Sequence, residues 1–119
     1  MSIRDRCTVG ADENIERMSQ ALTVAATAAA SDVAVSLWLT GDAVWLAVPG
    51  RAETYELPGA ASFADLRDGV LAMGQVTACT QCVSRRGLEP SDLIDGVRIA
   101  GAATFVEEAL ADDAQALVY

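Results

Sequence analysis

The chain has 119 residues, a length that fits one domain spanning 1–119 and leaves no room for two. Its formal net charge of −9 excludes nucleic acids and anionic membrane surfaces as expected partners, because both attract a basic protein surface. Apolar residues make up 52% of the sequence, which is typical of a packed α/β domain and not of a disordered chain.

The chain contains neither histidine nor lysine, and all eight basic residues are arginine. Catalysis by Ser-His-Asp or Cys-His groups is therefore excluded within one chain, as are a Walker A lysine and a Schiff base. We expect no metal, since Cys79 and Cys82 form one Cys-x-x-Cys knuckle and Cys7 adds only a third sulfur. We expect no cofactor either, since the loop 10–12 lacks the hydroxyl groups of a flavin phosphate loop.

The first part of the chain predicts a strand, a long amphipathic helix and a second strand. Arg4–Val9 is β-prone, and Asp12 then caps a helix over Glu13–Ala30 whose apolar residues recur at helical spacing. Val33–Leu39 is a nearly continuous apolar run, which is typical of a strand covered on both faces. Residues 40–42 then turn the chain.

The middle of the chain predicts a short apolar helix over Ala43–Val48, followed by a loop over Arg51–Ala61. Thr54–Leu57 is predicted to be extended within that loop. Four bulky apolar residues are expected in the core, with a subunit contact as the alternative interpretation: Trp38, Trp45, Leu46 and Val48.

The remaining elements alternate between helices and short strands. Residues 62–65 form a capping box that opens a helix ending at Gly74. Phe105, Val106, Ala109 and Leu110 are predicted to face inward from the last helix. The other predicted elements are a strand over Gln75–Cys79, a helical turn over Thr80–Arg86, a short helix from Pro90 to Ile94, and strands over Val97–Ala100 and Ala114–Val118.

Strands that alternate with helices predict a parallel sheet with right-handed crossovers. Five strands in this length indicate a single flavodoxin-like, three-layer α/β domain with a mainly parallel sheet of order 2-1-3-4-5. In that order the first and third strands are neighbours, and ligands bind at the carboxyl ends of the strands where the order reverses. This places Gly10–Asp12 and Cys79 beside one crevice.

Cys79 is the main candidate for chemistry because a helix start after a strand favours a thiolate. Cys82 lies one helical turn later and is the secondary candidate, able to resolve a persulfide or close a disulfide. Core packing is the alternative for both, and it is the expected role of Cys7. Six residues are expected around the pocket or the helix start: Gly10, Asp12, Thr40, Thr80, Gln81 and Arg85.

Three stretches carry a resemblance to a known family: Leu37–Val44 with its turn, Thr77–Cys79 followed by Arg85-Arg86-Gly87, and Asp92–Phe105 with the final Ala116–Tyr119. In this order they resemble the DsrE/DsrF-like proteins, the sulfur-relay group that includes the TusD-type transferases. The resemblance implies a flavodoxin-like fold, a homo-oligomer between a dimer and a hexamer, with a trimer among the options, and a persulfide carried on Cys79. Cys82 departs from the family's pattern, which leaves open which thiol reacts first.

We expect Cys79 to accept sulfane sulfur as a persulfide from a donor and to pass it to the thiol of an acceptor protein. This is a sulfurtransferase-like relay, and whether it is catalytic stays open. Two alternatives remain: a thiol–disulfide oxidoreductase, and a non-catalytic oligomeric binding module. An odd number of cysteines and an N-terminal stretch unlike a signal peptide predict a cytoplasmic protein with reduced thiols.

Overall fold

The computed structural model describes all residues from 1 to 119. The five strands are β1 (Ser2–Cys7), β2 (Ala34–Leu39), β3 (Gln75–Cys79), β4 (Arg98–Ala100) and β5 (Ala114–Val118). The four α-helices are α1 (Ala11–Ala30), α2 (Phe63–Met73), α3 (Thr80–Arg85) and α4 (Ala102–Ala109). Short 3₁₀ helices cover Gly41–Ala47, Ala52–Thr54 and Pro90–Asp92. None of the helices combines the length and the apolar character that a bilayer span requires.

All strand pairs are parallel, and the sheet has the order β4-β3-β2-β1-β5. The predicted class, a five-stranded parallel α/β sheet of the flavodoxin-like type, is confirmed. The predicted order 2-1-3-4-5 is wrong, because β2 lies between β1 and β3. The alternation of strands and helices fixes the class and the hand of each crossover, but it does not fix the direction in which each crossover runs.

The chain builds β1 to β4 one strand at a time and then returns across the sheet to β5. Because each crossover is right-handed, α1 and α2 cover one face of the sheet and α4 covers the other. The connections after β3 and β4 therefore leave toward opposite faces, and the crevice opens between these two strands. Cys79 at the end of β3 is paired with Ala100 of β4, so it lies at the crevice between these two strands. The predicted strand order had placed it at a crevice between the first and third strands.

The two faces differ in composition because successive side chains of a strand point in opposite directions. On β2, Val35, Leu37 and Leu39 join the apolar core under α1 and α2, which contains 22 buried residues. Ser36 and Trp38 point to the other face and contact α4. We call these the core face and the α4 face.

The start of α1 differs from the prediction. Gly10, not Asp12, is the N-cap, because the Glu13 carboxylate accepts the Gly10 backbone N–H at 2.8 Å. A Cβ at position 10 would lie 2.6 Å from Cβ of Asp42, so only glycine allows this close approach. Correspondingly, β1 ends at Cys7, two residues before the predicted end at Val9.

Two local predictions differ from the structure. Within the loop, Thr54 ends the 3₁₀ helix Ala52–Thr54 and is not extended as predicted, whereas Tyr55 after it has the extended backbone that was expected. Val106 and Leu110 do not face inward: they are 51% and 79% exposed, because α4 is the single helix on its face. The short helix predicted over Ala43–Val48 is the 3₁₀ helix Gly41–Ala47. Among the four bulky residues weighed as core or contact, Trp38 and Leu46 are buried, whereas Trp45 and Val48 are partly exposed.

Candidate functional site

Cys79 is the partly exposed cysteine of the three and lies at a junction between two elements. It ends β3 and serves as the N-cap of α3, with an extended backbone at φ −66° and ψ 128°. The chain turns directly after it into α3, and no backbone N–H of this first turn makes a cap hydrogen bond to its sulfur. Cys7 is fully buried and Cys82 is 7% exposed, so Cys79 is the thiol that solvent reaches.

The surroundings of Cys79 favour its ionised form. Partial burial by itself raises the pKa of the Cys79 thiol, since a low-dielectric environment disfavours charge. The backbone N–H and the thiol of Cys82, the N–H of Gln81 and the charge of Arg6 act in the opposite direction. Their combined effect lowers the pKa of Cys79 below its usual value, which increases the thiolate fraction near neutral pH.

Cys82 lies beside Cys79 and influences its ionisation. Burial raises the pKa of the Cys82 thiol, and the neighbouring sulfur of Cys79 raises it further, so Cys82 keeps its proton. Its own sulfur accepts the backbone N–H of Gly41 at 3.1 Å. Gly41 has φ +56°, and a Cβ there would lie 3.1 Å from the carbonyl oxygen of Thr8, so glycine suits this position.

Arg86 fixes α3 against the turn that follows β2. Its Nη2 and Nε donate to Oδ1 of Asp42 at 2.6 Å and 2.9 Å, and its Nη1 donates to the carbonyl of Cys82 at 3.0 Å. A charged hydrogen-bonding group that contacts both segments restrains their relative position. Arg86 therefore keeps α3 close to the turn at Gly41, so that the Gly41 N–H reaches the sulfur of Cys82 next to Cys79.

A cavity of about 650 Å³ opens beside Cys79 at the carboxyl ends of the strands. Its lining contains Arg6 and Arg85 and no carboxylate. A smaller apolar cavity of about 210 Å³ adjoins it, shares Cys79 and Arg6, and is lined by Trp38, Phe105 and Val106. The thiol thus lies between a polar, positively charged space and a largely apolar one.

Four of the six residues predicted around the pocket line the larger cavity with Cys79 and Cys82: Thr40, Thr80, Gln81 and Arg85. Gly10 and Asp12 lie outside it, since Gly10 packs against Asp42 and Asp12 is exposed in the first turn of α1. Because β1 ends earlier than predicted, Thr8 occupies the place at the cavity that Gly10 was expected to have.

Sequence reasoning missed several lining residues, namely Arg6, Thr8, Gly41, Gly101 and Ala102. The alternation Arg4-Asp5-Arg6 within the first strand was the available signal, since it places both arginines on one face. Gly101 and Ala102 could not be found without the strand order, because only the neighbouring position of β3 and β4 brings them to Cys79.

Glu108 anchors α4, the helix whose first residues line the cavity. Its carboxylate accepts from Ser36 at 2.7 Å, from the Trp38 indole N–H at 3.0 Å and from Arg98 at 2.6 Å. Burial acts to raise the pKa of Glu108, but these hydrogen bonds and the Arg98 charge lower it overall. A charged residue that binds three partners on the sheet determines where α4 lies.

No group of three or more Cys, Asp or Glu side chains is arranged to hold a metal ion.

Comparison with known proteins places this arrangement in a family. The model of the DsrE/DsrF-like family matches residues 8–117. The crystal structure of the YchN protein from E. coli superposes with a TM-score of 0.79 at 23% identity and covers 100% of this chain and 99% of its own. MTH1491 from Methanobacterium thermoautotrophicum, described as a protein of unknown function, gives a TM-score of 0.68 at 10% identity and covers 99% and 97%. At these identities both structures show a common fold. No curated protein sequence matches the chain.

Proposed function

The chain belongs to the DsrE/DsrF-like family, and from this premise and the geometry of its thiols we propose that it carries sulfane sulfur as a persulfide on Cys79 and relays it to the thiol of a partner protein. The observation that carries the proposal is the position of Cys79, a partly exposed thiol that ends β3, begins α3 and lines a cavity with Arg6 and Arg85. Such an environment increases the thiolate population, and the thiolate is the nucleophile in sulfur transfer.

The relay needs no general base, which suits a chain without histidine or lysine. In the first step, the Cys79 thiolate attacks sulfane sulfur, and the donor's leaving group departs with the bonding electrons. In the second step, a partner thiolate attacks the outer sulfur of the Cys79 persulfide, and the Cys79 thiolate leaves. No net oxidation occurs in either step, because each S–S bond that breaks is replaced by another.

Mass spectrometry after incubation of the reduced protein with inorganic polysulfide tests the proposal. We expect the wild type to gain the mass of one sulfur atom, with the added atom on the peptide that contains Cys79. Cys79→Ser should gain none. Absence of the adduct on the wild type, or an equal adduct on Cys79→Ser, would refute the relay.

Cys7 provides a matched control within the same chain. It is fully buried, and burial raises the pKa of its thiol to about 11, so it should stay unmodified. Cys7→Ser should therefore load sulfur like the wild type, and the comparison separates a specific site from general thiol reactivity.

A second candidate function, thiol–disulfide exchange, is favoured by the position of Cys79 and Cys82, which line the same cavity three residues apart. A disulfide between them would use the same nucleophile with Cys82 as the resolving thiol. Reduction of insulin by the wild type, abolished equally by Cys79→Ser and Cys82→Ser, supports this function. A relay predicts instead that Cys82→Ser retains sulfur loading.

We also propose that the protein forms a homo-oligomer through the α4 face. Of the five large apolar residues that are exposed in the protein, three belong to this face: Val106 at 51%, Leu110 at 79% and Val118 at 60%. Exposed apolar side chains that lie together are typical of a protein–protein contact. Light scattering should show an oligomer for the wild type and a smaller species for Leu110→Glu, and a wild-type monomer would contradict the proposal.

A further inference from the structure

The arginines of this chain divide into two groups by their partners. Arg4, Arg67, Arg86 and Arg98 each form a salt bridge with a carboxylate. The other four of the eight form none, although the chain carries 17 acidic residues. Two of these four, Arg6 and Arg85, line the Cys79 cavity.

The contacts of these two arginines leave their donors available. Arg6 lies over the ring of Phe105, with its guanidinium carbon 5.2 Å from the ring centre, and makes no hydrogen bond to a carboxylate. Arg85 has one long contact of 3.4 Å to the amide oxygen of Gln81. A guanidinium has five N–H donors, so both keep free donors at a cavity without any negative side chain.

We propose that this pocket takes its sulfur directly from a small molecule in which sulfane sulfur is bonded to an anionic sulfonyl group, that is, from thiosulfate or an organic thiosulfonate. The inference rests on the proposed function and specifies its donor. Arg6 and Arg85 bind the sulfonyl oxygens, since the planar guanidinium suits tetrahedral oxyanions. The apolar cavity beside Cys79, formed by Trp38, Phe105 and Val106, has room for the organic group of a thiosulfonate.

The reaction with thiosulfate balances without an oxidant or a reductant. The Cys79 thiolate attacks the outer sulfur of thiosulfate and forms the new S–S bond. The bond between the two sulfur atoms of thiosulfate breaks, and sulfite leaves with the electron pair. The products are the Cys79 persulfide and sulfite, and the total charge is unchanged. With an organic thiosulfonate the leaving group is the corresponding sulfinate.

The experiment loads the reduced full-length protein from three donors and follows the Cys79 adduct by mass spectrometry. Inorganic polysulfide reports the proposed relay itself, whereas thiosulfate and benzenethiosulfonate report the two sources of the sulfonyl donor. We expect loading from thiosulfate or benzenethiosulfonate, with one sulfite or sulfinate released for each sulfur added. Loading from only one of these two compounds identifies which of them represents the sulfur donor. Loading from polysulfide alone overturns this inference and leaves the relay intact, while loading from no donor refutes the relay as well.

Substitution of the arginines separates anion binding from thiolate activation. For Arg6→Gln and Arg85→Gln we measure the loading rate with the sulfonyl donor relative to the alkylation rate with iodoacetamide, an uncharged electrophile. The ratio should fall about tenfold or more in both variants, because charged hydrogen bonds to the donor are lost. Arg17→Gln removes the same charge from an arginine that lies away from the cavity and should leave the ratio unchanged. Equal ratios in all variants would contradict the assignment of the arginines and with it the inference.

Discussion

The two faces of the sheet are made of the same five strands, yet they serve different purposes. The core face is covered by α1 and α2 and is filled with alanine, valine and leucine side chains, several of which are fully buried. The α4 face has a single short helix, and ionic and hydrogen-bonding groups around Glu108 hold that helix in place. The Cys79 cavity opens at the edge of this second face.

The difference teaches how a small acidic domain can keep both stability and an accessible site. Apolar burial supplies most of the folding free energy, and it is concentrated on the core face. The α4 face is left partly open, so Arg6, Cys79 and the carboxyl ends of the strands reach solvent. The largest losses of unfolding free energy should therefore come from the core face, whereas changes in the reactivity of Cys79 should come from residues of the α4 face.

The largest expected effect is a loss of packing on the core face. Leu22 in α1 is fully buried, so Leu22→Ala should lower the free energy of unfolding by about 3–5 kcal/mol. Val106→Ala on the α4 face, where the side chain is 51% exposed, should change it by about 0.5 kcal/mol or less. Urea denaturation measures both, and comparable losses would contradict the division between the faces.

The core face contains one exception, the buried carboxyl of Asp5. Its side-chain oxygens have no hydrogen-bond partner, and burial raises its pKa from 3.8 to about 7. Between these values the folded protein binds a proton that the unfolded chain has lost, so stability falls as the pH rises. The full decrease is up to about 4 kcal/mol.

Urea midpoints between pH 4 and pH 8 test this dependence. Asp5→Asn keeps the shape of the side chain but cannot ionise. The free energy of unfolding of this variant should therefore not show this decrease over the same pH range. A wild type whose stability rises from pH 4 to pH 7 would show that another group dominates. Glu108 provides the comparison, because folding lowers its pKa whereas folding raises the pKa of Asp5.

Glu108 should stabilise the α4 face in its charged form. Hydrogen bonds from Arg98, Ser36 and Trp38 lower its pKa despite partial burial, so its contribution is present above the pKa of the unfolded chain and is lost as the pH falls through the lower, folded value. Glu108→Gln should lower the free energy of unfolding at pH 7 by about 1–3 kcal/mol. Glu107→Gln, an exposed neighbour, should have little effect, and equal effects would argue against the anchoring role.

The smallest expected effect concerns reactivity alone. In Cys82→Ala the neighbouring thiol that lowers the pKa of Cys79 is lost, so this pKa should rise and alkylation of Cys79 by iodoacetamide at pH 7 should slow about 2- to 10-fold. The change in unfolding free energy should be modest, because the residue is small. An unchanged pH profile of alkylation would indicate that the backbone N–H groups suffice.

The long elements were predictable because their signals are local. The helical spacing over α1, the N-cap at Ser62 and the strand at Gln75–Cys79 all depend on residues close in sequence, and the structure contains each of them. Of the predicted capping box, the bond from the Asp65 N–H to the Ser62 hydroxyl is formed. The cap at Gly10 was missed although Glu13 is close in sequence, because glycine has no capping side chain and Asp12 does. Exposure of Leu110 was missed because periodicity does not reveal how many helices cover a face.

The sequence by itself determined the class of the fold, the parallel alternation of its elements and the thiol that ends β3, since hydrophobic period, turn residues and the absence of histidine and lysine are properties of the chain. Only the tertiary structure decided the strand order, and with it which residues meet at the cavity. Arg6 lies 73 positions before Cys79, and no local interaction joins them. Their proximity follows from the direction of the crossovers, which the packing of whole helices on the sheet selects.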